Sequence, residues 1–241
     1  MINNHKEDTY KAIIFDMDGV IINSKQHVEA FWLEKLDEHG IHIPDEEREK
    51  RFHGRPARPT VNDLFAELDK STREAIIEEC AIHDASVETY PMIPGVDDFI
   101  KQSVDAGIRI GLVTSALPGK VNRMLDGLSV DDPFEVTVTA NLIENGKPDP
   151  ECYLLASKQM NIDPENIIVF EDSVSGAEAA SAAGATVIGV NKDLNAGPLK
   201  HAGAVTVYKD FRKAGIETGK KGIRMFSGGE KSVRSFMISN A

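Results

Sequence analysis

The chain has 241 residues, 41% of them hydrophobic and 27% charged, enough to bury a full core as one α/β domain or a domain with an insertion. A formal net charge of −12 argues against a nucleic-acid or anionic-membrane partner, and an anionic ligand would need positive charge gathered locally. Cys80 and Cys152 are the only cysteines and form no C-x-x-C pair, so two reduced thiols in a reducing compartment are expected.

The opening MINNHKEDTY is polar, without the apolar region of a signal peptide, and no apolar run approaches the roughly 18 residues of a membrane helix. A soluble, cytoplasmic protein is the expectation. AIIF at 12–15 reads as a buried strand, followed at once by Asp16, Asp18 and Gly19. From 24 to about 90 the patterning is helical instead, with Val28, Phe31, Trp32 and Leu36 on one stripe. YPMIPGV at 90–96 carries two prolines that suit a stiff hinge back to the main unit. Segment 95–107 has acidic residues in its first turn and ends at Gly107, as helix boundaries prefer. The apolar runs at 108–113, 136–139, 166–170, 186–190 and 204–208 are β-branched and nearly continuous, as parallel strands covered on both faces are. An Ala-rich helix occupies 173–185. Alternation of this kind predicts an α/β fold, a Rossmann-like doubly wound parallel sheet with an inserted α-helical unit. The expected division is a core of 1–23 and 94–241 around a helical insert of 24–93.

Four short features follow apolar runs. Asp16 and Asp18 leave the first strand, Thr114 and Ser115 end the run IGLV, Lys147 sits in NGKPDP, and Glu171 and Asp172 follow NIIVF. Read alone, each is a turn or a helix cap. Two acidic pairs leaving buried strands are harder to ascribe to turns. Strand ends of a parallel sheet meet along one edge, where such sheets bind ligands. Crowded carboxylates there need a cation, and Mg²⁺ is a hard ion that takes oxygen ligands together with substrate phosphate. Thr114 and Lys147 offer a hydroxyl and a point charge for phosphate oxygens. One Asp can then act as nucleophile and the other as acid–base.

DMDGVI, the strand end at Thr114, GKPDP and VFEDSVSGAEAASAAG resemble, in order and spacing, the four motifs of the haloacid dehalogenase superfamily. A helical insert just after the first motif resembles the branch of β-phosphoglucomutase and sugar phosphatases. The resemblance covers roughly 10–212 and implies a Rossmann-like core under a helical cap. It implies Asp16 as the nucleophile and Asp18 as acid–base, with Asp18 also lending Mg²⁺ a backbone carbonyl. Thr114, Ser115 and Lys147 would hold phosphate, while Asp16, Glu171 and Asp172 would hold the metal. The implied activity is Mg²⁺-dependent hydrolysis of a small phosphorylated metabolite, a sugar or polyol phosphate, through an aspartyl-phosphate. A sugar phosphomutase is the alternative and a non-catalytic binding module a remote one. No nucleic-acid or membrane partner is expected, and the chain is expected to be a monomer or weak homodimer.

Substrate selection in such proteins falls to the cap, whose most basic stretch is RFHGRPARPTV at 51–61. Arg58, following Gly54, is expected to contact the distal part of the substrate; the competing view is a solvated arginine cluster neutralising the acidic 44–50. In β-phosphoglucomutases a His stands twelve positions after the nucleophile, where this chain has Val28, with His27 one residue early. The Lys expected before the cap-loop glycine is His53 here. Both departures favour the phosphatase. Asn23 and Ser24 are hinge or substrate candidates, Phe31 and Trp32 read as cap core, and His39 and His42 as surface residues. The tail from 213 to 241 lies outside the resemblance, and Phe226, Phe236 and Met237 are expected to strap it down.

Overall fold

The computed structural model describes residues 9–52, 55–191, 196–219, 222–227 and 235–238. A two-residue strand β1 (Thr9–Tyr10) precedes β2 (Ala12–Phe15), all four of whose side chains are buried. Four helices follow: α1 (Lys25–Glu38), α2 (Asp45–Phe52), α3 (Ala57–Leu64) and α4 (Lys70–Ser86). The Asp69 carboxylate accepts from the amides of Ser71 and Thr72 and so starts α4. Helix α5 (Val96–Asp105) begins after Gly95, which has φ of 82° and lies where a Cβ would come 2.6 Å from the Arg212 nitrogen. Then come β3 (Arg109–Val113), α6 (Pro118–Leu125), β4 (Val136–Val138), α7 (Glu151–Met160) and β5 (Ile167–Glu171). The last α/β repeats are α8 (Val174–Ala182), β6 (Thr186–Val190), α9 (Ala196–His201) and β7 (Ala204–Tyr208).

Six strands form one parallel sheet in the order β4-β3-β2-β5-β6-β7. Strand β2 is central, and its register sets Phe15 between Leu112 and Phe170. Because the sheet is covered on both faces, alternate residues feed two separate cores. One face gathers the rings of Phe15, Phe99, Phe170 and Phe211, with Phe15 and Phe170 stacked at 5.3 Å. The other packs Ile14 and Val169 against Tyr153, Met160 and the alanines of α8. Small residues on α8 let that helix lie close to the sheet, which matters for Glu171 below.

Helices α1 to α4 have an apolar cluster of their own, including Phe31, Trp32, Leu36, Phe52, Val61, Leu64 and Phe65. The expected α1 stripe is there, with Phe31, Trp32 and Leu36 buried and Val28 packed against them. Entry and exit segments pair with each other: Asn23 N donates to the Pro91 carbonyl and Ile93 N to that of Ile21, each at 2.8 Å.

Beyond β7 the chain forms β8 (Ala214–Gly219), β9 (Gly222–Ser227) and β10 (Ser235–Ile238). These and β1 make a second sheet, β1-β10-β9-β8, antiparallel except for the β1–β10 pair. Met225, Phe236 and Ile238 are buried in the phenylalanine core, and the Phe236 ring stands edge-on to Tyr10 at 5.8 Å. The described part of the tail is therefore a sheet packed on the core, and its strands were not anticipated. Phe236 contributes as expected and Met237 is only half-buried; the side chain of Phe226 lies outside the described set.

Candidate active site

The C-terminal ends of β2, β3 and β5 and the loop before α7 deliver the charged residues to one place. Asp16 follows β2 directly and is 4% exposed. Lys147 reaches it from the loop, donating to Asp16 Oδ1 at 2.6 Å and to Glu171 Oε1 at 2.5 Å. A lysine this buried keeps its charge only through partners: burial works against the ammonium, but Asp16 and Glu171 hold its pKa well above the ordinary value.

Glu171 ends β5 and is wholly buried. Its Oε2 accepts from the amides of Asp172 and Ser173 and from the Ser173 hydroxyl, each at 3.0 Å, and its Oε1 accepts from the Tyr153 hydroxyl at 2.9 Å. Burial opposes ionisation of Glu171, but Lys147 and these donors outweigh it and hold its pKa below the usual value. The same pocket treats Asp16 differently. Burial pushes its carboxyl well up, Lys147 pulls it back, and the charges of Glu171 and Asp172 add to the rise.

Carboxylate oxygens of Asp16, Glu171 and Asp172 lie within 4.8 Å of one another. Two glycines make this packing feasible. A Cβ on Gly19, whose φ is 81°, would fall 1.9 Å from Asp172 Oδ2, and one on Gly176 would fall 1.7 Å from Glu171 Oε1. Buried like charges with an all-oxygen donor set fit a hard divalent cation such as Mg²⁺. Lys25 also approaches this cluster, with its Nζ 3.0 Å from Asp172 Oδ2.

Asp18 sits across from Asp16, where the Ser24 hydroxyl donates to its Oδ1 and Lys120 Nζ approaches the same oxygen at 3.1 Å. Thr114 is 2% exposed at the end of β3, and its hydroxyl oxygen accepts from the Ala116 amide at 3.1 Å. Asp16, Asp18, Thr114, Ser115 and Asp172 line one cavity of about 100 Å³, which Val28, Phe31, Trp32, Arg55 and His83 of the helical unit line as well. Phe31 and Trp32 thus serve both the helical core and the lining of the cavity.

The structure brings together Asp16, Asp18, Thr114, Ser115, Glu171 and Asp172, and ties Lys147 to Asp16. Arg58 is not brought to this place. Its guanidinium makes a bidentate pair with Glu74 at 2.6 and 2.9 Å, its side chain is 59% exposed, and it does not line the cavity. Arg55 lines the cavity instead, while pairing with Asp63 at 2.8 Å. The arginine cluster is neutralised chiefly by Asp63 and Glu74 rather than by 44–50, from which Glu47 reaches Arg51 at 3.4 Å. His53 and Gly54 lie outside the described residues.

Sequence reasoning missed Lys25, Lys120, Tyr153, His83 and Asp84. No motif marks them: each is one polar residue on a helix face, and only the fold shows which way that face points. His27 does not take the place of Val28. Its ring stacks on His83 at 4.1 Å and meets Tyr90 edge-on, while Val28 lines the cavity.

A family model for haloacid dehalogenase-like hydrolases matches residues 13–190. A phosphorylated carbohydrates phosphatase of Thermotoga maritima is 32% identical over 206 residues, covering 83% of this chain and 94% of its own. Hexitol phosphatase A of Escherichia coli is 31% identical over 186 residues, 75% of this chain and 83% of its own. The solved β-phosphoglucomutase of Clostridium difficile shares the fold, with a TM-score of 0.71 over 84% of this chain and 92% of that one at 24% identity. Matched over most of its length, and carrying the acidic strand ends described above, the chain belongs to the haloacid dehalogenase-like hydrolases, as a phosphohydrolase of the phosphatase and β-phosphoglucomutase-like group.

Proposed function

We propose that the chain is a Mg²⁺-dependent phosphatase of small phosphorylated metabolites, sugar or polyol phosphates, working through an aspartyl-phosphate on Asp16. The observation that carries this reading is the meeting of Asp16, Asp18, Thr114, Lys147 and the acidic cluster beside one cavity that the helical unit also lines. Residues 24–93 act in it as a cap and the remainder as the catalytic core.

An Asp16 Oδ attacks phosphorus, and the bond from phosphorus to the ester oxygen breaks. Asp18 gives its proton to the departing alkoxide. The Asp18 carboxylate then takes a proton from water as that water attacks the phosphoaspartate, breaking the bond to Asp16 and releasing phosphate. Lys147 and the Thr114 hydroxyl hold phosphoryl oxygens, and Ser115 lies beside them. Mg²⁺, held by Asp16, the Asp18 carbonyl, Glu171 and Asp172, would supply electrostatic stabilisation of the phosphoryl charge. Arg55 takes over from Arg58 as the cap arginine facing the substrate.

The named activities of the Thermotoga and Escherichia relatives support a phosphorylated carbohydrate or hexitol as the substrate class. Val28 in the cavity, with His27 turned away, supports hydrolysis over phosphoryl return to the sugar. Product analysis tests this. Free phosphate and the dephosphorylated polyol are expected, and an isomeric sugar phosphate in their place would make the chain a mutase.

A further inference from the structure

Helix α6 grips the C-terminal part of α4 with two side chains. Arg123 Nη2 donates to the Asp84 carbonyl at 2.9 Å, and Lys120 Nζ lies 3.5 Å from Asp84 Oδ1. The Lys120 side chain is 8% exposed and passes over the Tyr90 ring with its Nζ 5.7 Å from the centroid. That same ammonium stands 3.1 Å from Asp18 Oδ1. Lys120 is therefore the point where the helical unit, through Asp84, and the strand-end site, through Asp18, share one buried charge. An ammonium so far from water draws on the carboxyl groups around it for compensation, and that of Asp84 arrives only when α4 is seated on α6.

We propose that Lys120 is a positioning residue that couples the seating of the cap to the alignment of Asp18. Asp84 docks on Lys120, and Lys120 holds the Asp18 carboxyl facing the cavity. This rests on the acid–base role of Asp18 set out above. Lifting α4 away leaves Lys120 to draw on Asp18 alone, so the proton donor is correctly held only in the closed form.

The experiment compares Lys120→Met, Asp84→Asn and the double variant with the wild-type chain, using phosphate release and the reaction of thiols with Ellman's reagent. Each single variant is expected to lower kcat about tenfold with KM changed less than about threefold, a part of the 10²–10⁴ that acid–base catalysis contributes. The double variant is expected to be no slower than the slower single, because the two act as one unit. Cys80 lines the cavity and is half-buried, and Cys152 is buried in the core and serves as the reference for unfolding. Burial pushes the Cys80 thiol up to about 12, Asp84 adds to this and Lys120 opposes it. Loss of Lys120's charge alone would thus slow Cys80, so faster Cys80 labelling in Lys120→Met, with Cys152 unchanged, reports an opened cap. Multiplicative losses in the double variant, unchanged kcat in both singles, or unaccelerated Cys80 in Lys120→Met would each overturn the proposal. If the wild-type chain hydrolyses none of the phosphates offered, the phosphatase reading fails by itself, and the Cys80 rates still decide whether Lys120 and Asp84 hold the cap.

Discussion

Lys147 and Arg58 are both cations paired with carboxylates, one at the strand ends and one in the helical unit. Lys147 is 1% exposed, and its partners Asp16 and Glu171 come from strands 131 and 24 residues away. Arg58 is 59% exposed and meets Glu74 on the neighbouring helix. At the strand ends the sheet fixes where every carboxylate stands before any ligand arrives, so charge is buried at a cost that only a partner or a bound cation offsets. In the helical unit water screens the pair, and even the bidentate geometry of Arg58 with Glu74 contributes little. Charge alone therefore does not mark a site; charge that the backbone forces out of water does.

The most severe way to break this contrast is Lys147→Met. It leaves Asp16 and Glu171 buried without their cation and should cost about 3–5 kcal/mol in urea unfolding, along with phosphate release. A change no larger than that of an exposed pair would mean that the strand-end charges are not the buried system described here. Tyr153→Phe removes one donor from Glu171 while keeping the ring, and should cost about 1 kcal/mol and weaken Mg²⁺ binding measured by calorimetry.

The response to Mg²⁺ sharpens the contrast through pH. In the metal-free protein burial raises the Asp16 pKa above its ordinary 3.8, so in the window between the two values the folded chain holds a proton that the unfolded chain has lost. Stability from this group then falls as pH rises through that window. Mg²⁺ competes with that proton, so its gain in Tm should be larger at pH 8 than at pH 5. Equal gains at both would show that the ion does not bind at Asp16. The smallest effect belongs to Arg58→Ala, which should leave Tm, KM and kcat essentially unchanged, whereas Arg55→Ala should raise KM. A raised KM for Arg58→Ala would return that residue to the substrate.

Much of this was legible in the sequence, for reasons that differ by region. Buried parallel strands are continuous apolar runs, so 12–15, 186–190 and 204–208 could be read to the residue. Asp16, Asp18, Glu171 and Asp172 announce themselves because carboxylates directly after such runs have no ordinary packing reason to be there. The second sheet was hidden, since AGIETG and GIRMFS mix glycine and charge and pair in an antiparallel hairpin without an apolar run. Arg55 and Arg58 could not be told apart, because three arginines within eight residues look alike until the fold sets their directions. Lys120 was invisible for the same reason in reverse: nothing local distinguishes a lysine on an exposed turn of helix from one buried between Asp18 and Asp84.

The measurement that bears most directly on the central claim is phosphate release from a panel of sugar and polyol phosphates with Mg²⁺, beside an EDTA control and Asp16→Asn. Release by the wild-type chain that disappears both with EDTA and with Asp16→Asn is the expected result. Release that survives either one would contradict a metal-assisted reaction through Asp16.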